Sequence, residues 1–171
     1  MLRAYLYGRL TGLGVTAAVI AGALDQAVKL WLLVSFDLAN RGIVHLTRFL
    51  DFVLTWNTGI SYGLFQQESE VGRLVLLALK AIGLLVLWAW LARAESRLTA
   101  VSLGLIIGGG IGNAIDRLAY GAVLDFVLFH ITTPTFNFVW YVFNLADAAI
   151  VAGVAGLLYE SFFAGRAAKA P

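Results

Sequence analysis

Cysteine is absent from this chain of 171 residues, which removes disulfides, thiolate nucleophiles and cysteine-held metals from consideration. Histidine is nearly absent as well. His45 and His130 alone leave little for a metal site. Proline occurs only at Pro134 and Pro171, so no proline-rich linker divides the sequence, and one domain over 1–171 is expected. Charge is scarcer still: Asp, Glu, Lys and Arg make up 13% of the residues, against about 25% in soluble domains.

What fills the space is apolar. Hydrophobic residues reach 61% and the mean hydropathy is +0.87, which describes an integral membrane protein. A helix needs roughly 20 apolar residues to cross the hydrocarbon core. Four stretches meet that length, at about 10–36, 71–91, 98–115 and 141–163. The predicted fold is therefore an all-α membrane protein of four transmembrane helices. The branched and aromatic runs at 43–56 and 123–133 add short strands at the membrane surface.

The net charge of +2 does not point to nucleic acid, because the basic residues are scattered and form no run. They read instead as topology signals, since Lys and Arg collect on the cytoplasmic side. Arg3 and Arg9 precede the first span, Arg93 and Arg97 separate the second from the third, and Arg166 and Lys169 follow the fourth. With four spans these fall on one side, both termini are cytoplasmic, and 37–70 and 117–140 lie outside. Ala21-Gly22-Ala23 behind Arg3 and Arg9 imitates a cleavable secretory signal, but the apolar run resumes at Leu30-Trp31-Leu32-Leu33-Val34 and is long enough to span. Span three carries Ala100, Gly104, Gly108 and Gly112 at intervals of four, a smooth face for close helix packing.

Against this background the few polar residues are informative, because an ionisable group within a span is costly and usually functional. Asp25 and Lys29 sit four apart and can neutralise each other on one helix face. Asn113, Asp116 and Arg117 end the third span, while Asn144 and Asp147 begin the fourth. In both places Asn precedes Asp by three, so the amide can orient the carboxylate. Asp125 stands inside an apolar, strand-like run. Lys80, near the middle of the second span, receives no role.

Two carboxylates brought together away from water share a proton, and such a dyad can activate water while protonating a leaving nitrogen. Asp147 is one member by this reasoning. Asp116 and Asp125 compete for the other place. The adjacent Arg117 suits Asp116 to a structural ion pair, and Asp125, with no basic neighbour in sequence, is favoured for sharing the proton.

Five blocks carry a resemblance: Asp25-Gln26-Ala27-Val28-Lys29, Asn57-Thr58-Gly59, Gly112-Asn113-Ala114-Ile115-Asp116-Arg117, Val123-Leu124-Asp125-Phe126 and Phe143-Asn144-Leu145-Ala146-Asp147. In that order they resemble lipoprotein signal peptidase, also called signal peptidase II, an aspartyl endopeptidase family of the bacterial inner membrane. The resemblance implies four transmembrane helices with a small extracytoplasmic β-cradle and a second outer arm, an active site near the outer face, and neither a metal nor an organic cofactor. It implies diacylglyceryl-modified prolipoproteins as substrates, cut on the amino side of the lipid-bearing cysteine, and globomycin as an inhibitor. It makes Asp125 and Asp147 the catalytic pair. Asn57, Gly59, Asn113, Arg117 and Asn144 would hold substrate or orient the dyad, with Asp25, Lys29, Asp116, Gly112 and Ala146 in support. One departure is a slightly long step from Asp125 to Asp147, placed in the outer arm around Phe129–Val139.

Two other classes stand beside this reading. A small proton-coupled carrier would also use membrane-embedded aspartates, but it needs a polar path across the bilayer, and the acidic residues here gather at one face. A purely structural protein would explain the glycine stripe but not the two Asn-x-x-Asp pairs.

Overall fold

The architecture is given by a computed structural model, which describes residues 6–58 and 70–164. Gly59, Arg3, Arg166 and Lys169 lie outside the described residues, as does the side chain of Lys80. Helix α1 spans Thr11–Leu30 and runs on through a π-helical turn, Trp31–Ser35. A short helix α2, Leu38–Arg41, leads to strands β1, Val44–His45, and β2, Leu50–Asn57. Helix α3 covers Glu70–Leu91 and α4 covers Arg97–Tyr120. Strands β3, Val123–Thr133, and β4, Phe136–Val139, precede helix α5, Leu145–Tyr159, which ends in a second π-helical turn, Glu160–Ala164.

Among the described residues three helical segments are long and apolar enough to cross a membrane: Thr11–Ser35, Arg97–Tyr120 and Leu145–Phe163. In α3 the apolar segment so described, Ala81–Leu91, is shorter. Three of the four expected spans therefore stand clear in a helix-dominated chain.

The glycine stripe of α4 does what small residues do in membranes, which is to let two backbones approach. A Cβ on Gly104 would strike the Gly14 carbonyl and one on Gly108 the Ala18 carbonyl, so α1 lies directly against α4. Gly109 and Gly153 play the same part between α4 and α5, facing the Ala146 and Ser102 carbonyls. Leu91, Ala100, Leu103 and Ile107 form the buried core near the α3–α4 turn. At that end Thr99 Oγ1 donates to Glu160, tying the start of α4 to the tail of α5.

Two boundaries differ from the sequence expectation. The third span runs to Tyr120 rather than 115, because Asn113, Asp116 and Arg117 find partners on neighbouring elements and need not leave the helix. It stops at Gly121, whose φ of 76° suits glycine and whose N–H caps Arg117 O at 3.1 Å. The fourth helix begins at 145 rather than 141, since Val142 and Phe143 remain extended and Phe143 bridges Val127.

The four strands form one antiparallel sheet in the order β1-β2-β3-β4. Phe126 and Phe52 meet edge to face with ring centroids 5.9 Å apart, over Leu32 and Leu38, and this second core seats the sheet on the end of α1. Asp51 ties three strands together: its Oδ1 lies 2.8 Å from His45 Nδ1 and its Oδ2 3.1 Å from His130 Nε2. Burial works against ionisation of Asp51, yet the two imidazoles prevail and hold its pKa below the usual carboxylate range.

Candidate active site

The polar residues singled out in the sequence arrive at the site from several elements. Asp125 sits on β3, which pairs with β2 so that Asp125 lies opposite Thr55 and Asn57 opposite Val123. Asn144 and Asp147 open α5, where they form a capping box. Asn144 Oδ1 accepts from the Asp147 N–H at 2.9 Å, and Asp147 Oδ2 accepts from the Asn144 N–H at 3.3 Å. Asn113 approaches from the penultimate turn of α4.

The two carboxylates are held by amides. Asp125 Oδ1 accepts from Asn144 Nδ2 at 2.6 Å and its Oδ2 from Asn57 Nδ2 at 3.1 Å. Asp147 Oδ1 accepts from Asn113 Nδ2 at 2.8 Å. Asn144 Nδ2 also reaches Asn113 Oδ1 at 3.1 Å, so a chain of amides joins Asp125 to Asp147. The carboxylates are close enough that each feels the other's charge, and Arg117 is coupled to both. Burial, reinforced by Asp147, pushes the Asp125 pKa up to about 6, although the amides of Asn57 and Asn144 and the charge of Lys29 pull the other way.

Asp116 goes elsewhere. It points to Lys29, whose Nζ lies 2.7 Å from Asp116 Oδ2 and 2.7 Å from Asp25 Oδ2, with all three residues almost wholly buried. The Asp25–Lys29 pairing expected along one helix face is present, but it is two-thirds of a cluster that spans two helices. The close ion-pair partner of Asp116 is thus Lys29, while the adjacent Arg117 that the sequence suggested feels its charge. The expected Asn113–Asp116 contact is also replaced. Asn113 turns to Asp147 and Lys29, while Asp116 accepts from Gln26 Nε2 at 2.8 Å and from the Leu124 N–H at 3.1 Å.

The remaining oxygen of Asp25 accepts from the Ala146 N–H at 2.9 Å, which fixes the first turn of α5 to α1. Gly112 permits this approach, since a Cβ there would lie 2.9 Å from Asp25 Oδ2. Gln26 is the member of the cluster that sequence reasoning passed over. Its signal was an uncharged amide beside Asp25 in an apolar run, donating to Asp25, Asp116 and the Gly112 carbonyl.

Asp125, Asp147, Asn57, Asn113 and Arg117 line the polar end of a cavity of about 780 Å3. Its other walls are apolar: Leu84 and Leu87 from α3, Ile150 and Val151 from α5, and Trp140 at the foot of the outer arm. A pair of coupled carboxylates at one end of a greasy slot between helices suits acid–base hydrolysis of a bond carried by an apolar substrate.

Comparison with known proteins agrees. The family model described as signal peptidase (SPase) II matches residues 17–163. The chain is 61% identical over 158 residues to the lipoprotein signal peptidase of Nitrobacter hamburgensis, covering 92% of this chain and 96% of that protein. It is 57% identical over 159 residues to the lipoprotein signal peptidase of Rhodopseudomonas palustris strain TIE-1, covering 93% and 97%. A solved structure described as a bacterial membrane enzyme, determined by the in meso method at 2.3 Å resolution, shares the fold with a TM-score of 0.73 and 22% identity over 93% of this chain and 92% of that one. The chain is a membrane peptidase and belongs to the signal peptidase II family.

Proposed function

We propose that this peptidase removes the signal peptide from diacylglyceryl-modified prolipoproteins, cutting on the amino side of the lipid-bearing cysteine, with Asp125 and Asp147 as its catalytic pair. The observation that carries the assignment is the convergence of these two aspartates, through Asn144 and Asn113, on the polar end of one apolar cavity. In this reading α3 is a fourth span, the single domain covers 1–171, and both termini face the cytoplasm. The site then lies near the outer face of the bacterial inner membrane, where lipid-anchored substrate enters sideways between α3 and α5 and water reaches the dyad.

In this reading catalysis needs no covalent intermediate. Asp147 takes a proton from water as the hydroxyl attacks the scissile carbonyl, and Asp125, whose pKa burial raises to about 6, protonates the departing nitrogen. Asn57, Asn113 and Asn144 keep each oxygen aimed, and Arg117 adds positive charge where the oxyanion develops. Asp25, Lys29 and Asp116 anchor α1, α4 and α5 beneath them, with Gly112 and Ala146 allowing the close approach.

The test is cleavage by the purified protein in lipid of a prolipoprotein with and without its diacylglyceryl group. Only the lipidated form is expected to be cut, and globomycin is expected to block the reaction. Equal cleavage of both forms would refute the substrate assignment.

A further inference from the structure

Lys29 has more donors than its anchoring role uses. Two of the ammonium's three N–H groups serve the carboxylates of Asp25 and Asp116, each 2.7 Å away. The remaining one is within reach of Asn113 Oδ1, at 3.3 Å. The Lys29 side chain is 3% exposed, so bulk water does not compete for that hydrogen.

That contact bears on which way the Asn113 amide points. Its Oδ1 is met by two groups that can only donate, the Lys29 ammonium and Asn144 Nδ2 at 3.1 Å. The Asn144 amide is fixed in turn, because its own Oδ1 accepts from the Asp147 N–H at 2.9 Å. Asn113 is therefore left with its Nδ2 on Asp147 Oδ1, at 2.8 Å. The reversed amide would set N–H hydrogens against an ammonium and an oxygen against a carboxylate, two repulsive contacts in place of two bonds.

Two further observations tie Lys29 to the dyad as well as to the helices. A cation on the oxygen of an amide polarises it, and in a low-dielectric chain its N–H becomes the stronger donor. Lys29, Asn113 and Asp147 form such a chain. The Lys29 charge also acts on Asp125, where it pulls the pKa down against burial and the charge of Asp147. Arg117 on α4 is a second cation that feels both aspartates. Lys29 thus reaches one carboxylate through an amide and the other through its field.

We propose that Lys29 is a positioning residue of the peptidase, its ammonium locking the Asn113 amide onto Asp147 while its charge bears on Asp125. This deepens the dyad assignment proposed above and rests on it. Asp25 and Asp116 hold the ammonium where it can do so, and the cluster serves the reaction as well as the fold.

The test is a double-mutant cycle on kcat, measured with lipidated prolipoprotein and the full chain in lipid at equal folded amounts. Lys29→Met is expected to lower kcat by about 10- to 100-fold while KM changes less than about 2-fold. Combined with Asn113→Ala, it should fall no further than Asn113→Ala alone, because the two residues act in series. The declining limb of kcat/KM should move to higher pH in Lys29→Met, since the lost cation favoured ionised Asp125. Effects that multiply, or a limb that stays in place, would overturn the inference and leave Lys29 an anchor alone. If Lys29→Met does not fold, the triple variant Asp25→Asn, Lys29→Met, Asp116→Asn removes the charge without stranding a buried ion, and the same cycle with Asn113→Ala decides. Cleavage by wild type and none by Asp125→Asn secures the dyad. A Lys29→Met protein that then cuts at the wild-type rate refutes the positioning role alone.

Discussion

Asn144 holds both aspartates at once: its Nδ2 donates to Asp125 Oδ1 at 2.6 Å while its Oδ1 accepts from the backbone N–H of Asp147 at 2.9 Å. The same side chain is therefore a helix cap and, in the proposed mechanism, the brace of the catalytic pair. The two roles separate by substitution. Asn144→Ser keeps a capping oxygen but loses the reach to Asp125, so it should stay folded while turnover falls by about 100-fold or more. Asn144→Ala should lose turnover and also about 1 kcal/mol of stability. A fully active Asn144→Ser enzyme would show that the brace is dispensable.

The roles of the three aspartates divide along the same lines. Asp125→Asn and Asp147→Asn remove proton transfers worth about 100- to 10,000-fold and should leave a folded, inactive protein. Asp116→Asn instead breaks a buried ion pair with Lys29, at a cost of about 3–5 kcal/mol, and should fail in thermal stability before it fails in turnover per folded molecule. Melting curves alongside single-turnover assays decide this. Normal stability with no turnover in Asp116→Asn would put Asp116 in the dyad.

The raised pKa of Asp125 has a pH signature. A carboxyl that titrates near 6 when folded favours the native state below the ordinary carboxylate range, and that advantage fades as pH rises to about 6. In the reaction, kcat/KM should decline as pH passes about 6, where the free enzyme loses the proton that Asp125 donates. The Asn57 amide favours the ionised form, so Asn57→Ala should move that limb to higher pH. Movement to lower pH would contradict the assignment of the proton to Asp125.

Gly112 tests the packing beneath the dyad. A methyl there meets Asp25 Oδ2 at 2.9 Å, and Asp25 is clamped by Lys29 and by the Ala146 N–H, so it has no room to withdraw. Gly112→Ala should cost about 1–3 kcal/mol, as overpacking does. Gly83→Ala, where a Cβ meets nothing within 4 Å, is the matched control by thermal melting. Equal melting temperatures would refute the clamp.

Much of this was legible in the sequence because a membrane chain pays dearly for each polar residue, so those present mark the site. Asp125, Asp147, Asn113 and Asn144 were visible for that reason, and the glycine stripe marked the face of α4 that packs closely on a neighbour, which the structure identifies as α1. The partners were less visible. Asp116 beside Arg117 suggested a local pair, but successive residues on a helix point apart, and the nearer cation in space is Lys29 from another helix. The helix ends also escaped, because Asn113, Asp116 and Arg117 resemble a hydrophilic terminus until their tertiary partners are known.

The buried cluster of Asp25, Lys29 and Asp116 bears on how the chain is made. During synthesis α1 enters the lipid long before α4 exists, so Lys29 must spend that interval with Asp25 alone, 2.7 Å away one turn earlier. A lone charge costs up to about 3 kcal/mol on insertion scales, less toward the end of a span where Lys29 sits, and pairing with Asp25 lowers that cost. When α4 follows, Asp116 arrives as a second anion for a cation already in place, and the Gln26 amide and Leu124 N–H take up its remaining oxygen capacity. The same three residues that later hold the helices together thus serve first as a temporary neutral passenger and then as a latch that closes in the order of translation.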